Sequence, residues 1–308
     1  MINKVVILVG PTAVGKTDIS IDLAKELNGE IISSDSMQIY KHFDIGSAKP
    51  TVEEMDGIPH YLIDEIDPFR NYSVSDYQEK AKGYIKDIFS RGKTPIVTGG
   101  TGLYVNALMY DMDFSKSASA PEYRVSLEKL AEEHGNKYIH EMLKDVDEKS
   151  YNKIHFNNLR KVIRALEVLH VTGQTIDDFS SDLTKTKDYD FVLIGLTRNR
   201  KRLYVRINKR VEIMMENGLI DEVKNLKEMG LNESNTSMQG IGYKEVVPYL
   251  EGHYDKETMI SMIKQNSRRY AKRQMTWFRR YDDIHWFDYD QFTSYEEMKA
   301  EIIHLIQS

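Results

Sequence analysis

Val5-Val6-Ile7-Leu8-Val9 runs directly into Gly10-Pro11-Thr12-Ala13-Val14-Gly15-Lys16-Thr17, and an amphipathic stretch with Ile19, Leu23, Ala24 and Leu27 follows. An apolar β-branched run, a loop of the form G-x-x-x-x-G-K-[ST] and a helix make a P-loop. The glycines let backbone N–H groups turn inward onto phosphate oxygens, and the helix N-terminus adds a favourable dipole. Lys16 supplies a point charge, and the Thr17 hydroxyl is a candidate ligand for Mg2+. Residues Gly10, Pro11, Thr12, Ala13, Val14, Gly15, Lys16 and Thr17 are thus the candidate site for a di- or triphosphate. A purely structural strand–turn–helix would require none of these residue choices.

Further Val- and Ile-rich runs at Glu30–Ser33, Thr94–Thr98, Asp190–Leu196 and Ile284–Phe287 alternate with helical spacing near 15–27, 73–90, 101–109, 199–217, 219–229, 256–280 and 294–306. Strands buried on both faces and separated by helices predict an α/β fold, a mostly parallel sheet flanked by helices. The long stretch between the strand runs at 94–98 and 190–196 shows no strand pattern. It shows helical spacing at Pro121–His134, Asn136–Leu143 and Asn157–Val171, then a polar tail, Ser180–Asp190. This predicts an all-helical insertion, 115–188, in a core made of 1–114 and 189–308.

The 308 residues include no cysteine, which excludes disulfides, thiolate zinc sites, iron–sulfur clusters and cysteine nucleophiles. The longest apolar runs are too short to cross a bilayer, and Met1 leads into a strand without a signal layout. A soluble cytoplasmic protein is expected. Its formal charge of −6 is unevenly spread: residues 198–210 and 264–280 each carry seven Lys and Arg and no acid. Two concentrated basic segments on an acidic body suit a polyanion held at a definite place, the alternative being two solvated helix faces. On a helix, Lys264, Arg268, Lys272 and Arg279 are expected to form a continuous positive stripe, with Tyr270 and Trp277 packing the helix on the body.

A nucleotide hydrolase of this class carries an apolar strand ending in a metal-holding Asp. Tyr61-Leu62-Ile63-Asp64 is short, and Pro95-Ile96-Val97-Thr98 ends in Thr-Gly-Gly. The second strand instead runs into Ser33-Ser34-Asp35-Ser36-Met37-Gln38-Ile39-Tyr40. In an open α/β sheet the carboxyl ends of neighbouring strands converge on the ligand crevice, so Asp35 is expected across from the phosphates, within reach to act as a base. Spacing alone equally allows a turn-forming or helix-capping Asp.

The loop GPTAVGKT, the segment SSDSMQIYKHFDIGSAKP (33–50), TGGTGLY (98–104), NLRKVIRALEV (158–168), QGIGYKE (239–245) and KRQMTWFRR (272–280) together resemble the bacterial tRNA dimethylallyltransferases, also called tRNA isopentenyltransferases or IPP transferases. The resemblance runs from residue 10 to about 288, nearly the whole chain. Ser47 departs from it, standing where Thr is commoner. The lack of cysteine fits the bacterial type and not the longer eukaryotic form with a zinc finger.

The resemblance implies that dimethylallyl diphosphate donates a five-carbon prenyl group to N6 of the adenosine 3′ of the anticodon (position 37) in tRNAs reading codons that begin with U. It implies Asp35 as the general base, Thr101 as a further catalytic residue, and Lys16, Thr12, the loop amides, Arg210 and Thr17 with Mg2+ as stabilisers of the departing diphosphate. It also implies extrusion of the adenosine from its stack into a pocket. RNA contacts are implied for Asp35, Ser36, Met37, Gln38, Thr101, Arg124, Arg160, Lys161, Arg164, Gln239, Gly240, Ile241, Gly242, Tyr243, Lys244, Lys272, Arg273, Gln274, Thr276, Trp277 and Arg279, on a monomer that binds the anticodon stem–loop and no membrane. Two alternatives share the P-loop: a kinase of a nucleotide or small metabolite, and a non-catalytic RNA-binding module switched by nucleotide.

Overall fold

The structure, a computed structural model, describes residues 3–112, 120–173, 175 and 184–308. The expected insertion boundary at 115 and the start of the polar tail at Ser180 lie outside the described residues. The five strand runs read from the sequence form strands, and a sixth, short one joins them. They are β1 (Lys4–Val9), β2 (Gly29–Ser33), β3 (His60–Tyr61), β4 (Thr94–Gly99), β5 (Asp190–Thr197) and β6 (His285–Asp288). The sheet order is β3-β2-β4-β1-β5-β6, and all five neighbouring pairs are parallel. The short β3 was missed because two residues carry no period. It sits at the edge, and Asp64, just beyond it, pairs with Lys49 at 2.7 Å.

The helices of this first unit, 1–109 with 187–308, follow from burial on one side. After β1, α1 (Lys16–Glu26) buries Ile19, Leu23 and Ala24, and stops where Asn28 takes a left-handed φ of 48° that short polar side chains tolerate. Then come α2 (Val52–Met55), α3 (Val74–Ser90) and α4 (Gly102–Met109). A Ser73–Asp76 capping box starts α3, which buries Tyr77, Ala81, Ile85 and Ile88 at helical spacing. Beyond β5 lie α9 (Arg200–Glu216), α10 (Leu219–Glu228), a 3-10 turn (Thr236–Gln239), α11 (Tyr243–Leu250), α12 (Lys256–Phe278) and, after β6, α13 (Tyr295–Gln307). Val5 to Val9 are fully buried. Alternation sends Val6 and Leu8 into one cluster with Ile19, Leu23, Met298, Ile302 and Ile306, while Val5, Ile7 and Val9 face the other side. A strand apolar on both faces is what a helix-covered parallel sheet requires.

The second unit, 110–186, is mainly helical among its described residues. It contains α5 (Pro121–His134), α6 (Asn136–Glu141), α7 (Glu148–Lys153) and α8 (Leu159–Thr172), closed by a core of Leu127, Ala131, Ile139, Leu143, Val162, Ile163, Ala165 and Leu166.

Candidate active site

With every strand parallel, the carboxyl ends of β2, β4, β1 and β5 share one edge of the sheet, and the residues that follow them build one site. The loop after β1 is the phosphate loop. Gly15 has φ 111° and begins α1, and a Cβ there would lie 2.7 Å from the Tyr289 hydroxyl, which donates to Gly15 O at 3.0 Å. Only glycine meets both demands. Lys16 Nζ donates to Gly10 O and Pro11 O, both at 3.0 Å, holding its charge over the loop.

Arginines from the first basic stretch gather around this loop. Arg198 Nε donates to Val14 O at 2.9 Å, Arg206 Nε to Ala13 O at 2.8 Å, and Arg210 Nη1 to Thr12 Oγ1 at 3.2 Å. Arg198 also lies 3.6 Å over the Tyr289 ring. These bonds hold two loop carbonyls from outside; within the loop, Val14 N donates to Pro11 O at 3.3 Å. Arg198 and Arg206 were not read from the sequence, although 198, 202, 206 and 210 recur at i, i+4. The fourth, Arg202, pairs with Asp290 at 2.5 Å. So much positive charge has a cost: burial and then Arg210 lower the Lys16 pKa from 10.5 to about 8, with Asp35 pulling it back up. Burial likewise lowers Arg210, against the opposing pull of Asp35 and Glu54.

Asp35 follows β2 in this same field. Its Oδ1 accepts from Met37 N at 2.8 Å and Gln38 N at 3.3 Å, so it forms the turn, and it lies near enough to Lys16 and Arg210 to act on both charges. Thr101, after β4, accepts from Ser36 N at 3.1 Å and donates to Ser36 Oγ at 3.3 Å, tying the segment to the neighbouring strand end. Gln274 on α12 closes the ring. It accepts from Thr12 N at 2.9 Å and donates to Gly100 O at 3.0 Å, and it is 5% exposed. Gln274 therefore stitches the phosphate loop to the β4–α4 turn, and its side chain is not presented to RNA. Tyr270, read from the sequence as packing, lies beside this cluster, and burial first and Asp35 second push its hydroxyl up to about 12.

The expected stripe on α12 is corrected by helical phase. Lys264 pairs with Glu212 at 2.6 Å and Arg268 donates to Asn208 Oδ1 at 2.7 Å, so both are turned toward α9. The outward face is another one. Arg269, Lys272, Arg273, Thr276, Trp277 and Arg280 line an open groove of about 480 Å³. Trp277 is anchored there because Gly102 leaves room: a Cβ would lie 2.2 Å from the indole. Arg279 follows the helix and is exposed, outside this lining.

Among the other expected RNA contacts, Tyr243 is fully buried and its hydroxyl donates to Glu222, so it supports the site from within. Gly240 and Gly242 are buried, Ile241 is half-buried, Gln239 donates to Glu233 O at 2.5 Å, and Lys244 is exposed. In the second unit Arg124 and Arg164 share Glu167, at 2.6 and 2.7 Å. Burial opposes ionisation of Glu167, but the bonds from Arg164 and Arg124 prevail and hold the carboxyl below its ordinary range. Arg160 and Lys161, on the first turn of α8, are exposed.

Thr17 is exposed at the start of α1, and its hydroxyl has no protein partner among the described residues. No group of three or more His, Cys, Asp or Glu there could hold a metal ion. These donors fit a magnesium ion carried by a diphosphate, Thr17 adding one oxygen.

A parallel sheet with a phosphate loop on a central strand and a collar of arginines around it defines a P-loop protein. The chain belongs to the IPP transferase family, whose model matches residues 38–281. It is 55% identical over 302 residues to a tRNA dimethylallyltransferase of Clostridioides difficile (strain 630), covering 98% of this chain and 97% of that one. Identity with the tRNA dimethylallyltransferase of Alkaliphilus oremlandii is 54% over 303 residues, covering 98% and 96%. Among solved structures, the tRNA isopentenylpyrophosphate transferase of Bacillus halodurans aligns with TM-score 0.75 and 46% identity over 99% of this chain and 96% of that one. A eukaryotic dimethylallyltransferase acting on tRNA aligns with TM-score 0.79 and 32% identity, over 92% and 73%. No helix among the described residues is long and apolar enough to cross a membrane.

Proposed function

We propose that this chain transfers the dimethylallyl group of dimethylallyl diphosphate to N6 of the adenosine 3′ of the anticodon in tRNA, releasing diphosphate. The observation that carries this reading is a phosphate loop collared by Arg198, Arg206 and Arg210, with Asp35 near enough to act on the charges of Lys16 and Arg210. Phosphates held there belong to a leaving group, and no acid-ended strand is needed to position an attacking water.

In the reaction the N6 lone pair forms a bond to C1 of the dimethylallyl group. The C1–O bond breaks with its electrons passing to the diphosphate. The exocyclic amine is a poor nucleophile because its lone pair is delocalised into the ring, so Asp35 takes the N6 proton as the new bond forms. Lys16, Arg210, Thr12 and the loop amides meet the charge that grows on the diphosphate. Thr17 would help hold a magnesium ion, which would supply further charge neutralisation. Arg269, Lys272, Arg273, Thr276 and Trp277 form the face offered to the RNA in the first unit, and Arg160 and Lys161 that in the second. The enzyme works as a cytoplasmic monomer, where tRNA is found.

Incubation with dimethylallyl diphosphate and an anticodon stem–loop bearing three consecutive adenosines, followed by nucleoside analysis, is the direct test. Prenylated adenosine is expected from the wild type, and Asp35→Asn should lose about two to four decades of rate while RNA binding stays within a few-fold. Transfer of phosphorus from ATP with no prenyl product would favour a kinase. Near-normal turnover of the Asn variant would remove Asp35 as the base.

A further inference from the structure

The segment carrying Asp35 and Gln38 is held from behind by residues with no assigned part in the reaction. Four successive backbone N–H groups converge on one anchor. Asp44 N and Ile45 N donate to Glu222 Oε2 at 3.0 and 2.7 Å, and Gly46 N to Glu222 Oε1 at 3.1 Å. Ser47 N donates to the Tyr243 hydroxyl at 3.1 Å, and that hydroxyl donates in turn to Glu222 Oε1 at 2.8 Å. Tyr243 is fully buried, its ring 4.6 Å from that of Phe43. Gly46 rests on the same ring so closely that a Cβ would lie 2.5 Å from it.

The carbonyls of this turn serve the other side. Ser47 O and Ala48 O accept from Gln38 Nε2 at 3.4 and 3.1 Å. Gln38 Oε1 accepts from Ser33 Oγ at 3.3 Å, and the same hydroxyl accepts from Asp35 N at 3.3 Å. A continuous hydrogen-bonded chain thus leads from Glu222 on α10 to the backbone of Asp35. The turn has no core to hold it: residues 44–48 bury no side chain, and Ala48 sits at φ 46°, which a Cβ disfavours. Polar bonds, with the packing of Gly46 on the Tyr243 ring, fix its shape. Glu222, with two oxygens facing N–H and O–H donors, is their hub, and charge-assisted bonds of this kind are the strong ones.

We infer that Glu222, acting through Tyr243 and the turn 44–48, is a positioning residue that sets the Gln38 amide and the Asp35 segment against the incoming nucleobase. The inference rests on the function proposed above. It assigns Tyr243 a task its burial permits, in place of RNA contact. Glu222→Gln replaces one acceptor oxygen with an NH2 that faces backbone N–H groups. The loss in kcat/KM for the stem–loop should be about 10- to 100-fold, the scale of one charge-assisted bond, with KM for dimethylallyl diphosphate within about threefold.

The decisive experiment is a double-mutant cycle of Glu222→Gln with Gln38→Ala, read as kcat/KM for RNA, with melting of each variant recorded. If Glu222 acts through Gln38, the double variant is no worse than about threefold below Gln38→Ala alone. Effects that multiply, or a donor KM that rises in step, would overturn the inference and leave only a stability role. Should Glu222→Gln fail to fold, Tyr243→Phe removes just the hydroxyl that receives Ser47 N, and the same cycle applies to it. A wild type that makes no prenylated adenosine in this assay would overturn the proposed function and this inference with it; an active wild type with multiplicative variants would overturn the inference alone.

Discussion

Residues 198–210 and 264–280 carry equal charge and no acid, yet they are used differently. In the first, Arg198, Arg206 and Arg210 bond to Val14, Ala13 and Thr12, and so converge on the phosphate loop. In the second, Lys264 and Arg268 are occupied by Glu212 and Asn208, Gln274 reaches the same loop, and only Arg269, Lys272, Arg273 and Arg280 line an open face. Helical phase, which charge counts ignore, decides which cations face the phosphate loop and which face solvent. A surface cation gains from counterion release and is screened by salt, whereas one held over a phosphate loop acts at short range.

The largest consequence of that difference falls on Arg210. Arg210→Ala should lower kcat/KM for dimethylallyl diphosphate about 100- to 1,000-fold, the scale of losing one donor to a charge that grows in the transition state, with stem–loop affinity unchanged in a filter-binding titration. A loss confined to RNA affinity would move Arg210 to the other group.

Lys16 gives a pH test of the crowded first group. Its amine must be protonated to hold an anion, and in the free protein its pKa is lowered to about 8. Bound diphosphate raises that pKa, so binding takes up a proton above pH 8, and diphosphate affinity should fall about tenfold per pH unit just above that value. Calorimetry in two buffers would detect the proton, and Lys16→Ala should bind weakly with a flat profile. A wild-type affinity independent of pH from 7.5 to 9.5 would contradict the assignment.

Smaller effects are expected from the outward face. Replacing Lys272 and Arg273 together with Ala should raise KM for RNA and reduce the log–log salt slope of stem–loop binding by about one to two, with donor KM unchanged. An unchanged slope would make the face a solvated one. The smallest effect belongs to Lys264, whose exposed pairing with Glu212 is worth about 0–1 kcal/mol. Lys264→Ala should shift melting slightly and leave the RNA salt slope alone; an RNA effect as large as that of Lys272 would restore the continuous stripe.

The sheet was legible because its strands are apolar on both faces and the helices between them repeat at 3.6 residues; β3, two residues at the edge, had no period to read. The phosphate loop was legible from spacing alone. The place of Asp35 just beyond β2 was legible from topology, since a parallel sheet puts every strand end on one edge. Arg206 and Arg198 lay in an i, i+4 series that charge counting blurred, and Tyr243 matched a motif whose burial depends on Phe43, Gly46 and Glu222, residues distant in sequence. The direction of a side chain around a helix depends on what that helix packs against. That is why Lys264 and Lys272, both on α12, part ways.

Steady-state transfer with both substrates varied, run side by side on Arg210→Ala and on Lys272→Ala/Arg273→Ala, tests the division of the two basic stretches most directly. A crossed pattern is predicted: the first variant impaired in kcat/KM for dimethylallyl diphosphate with the RNA KM retained, the second raised in RNA KM with the donor KM retained. Both variants raising the same KM would contradict it.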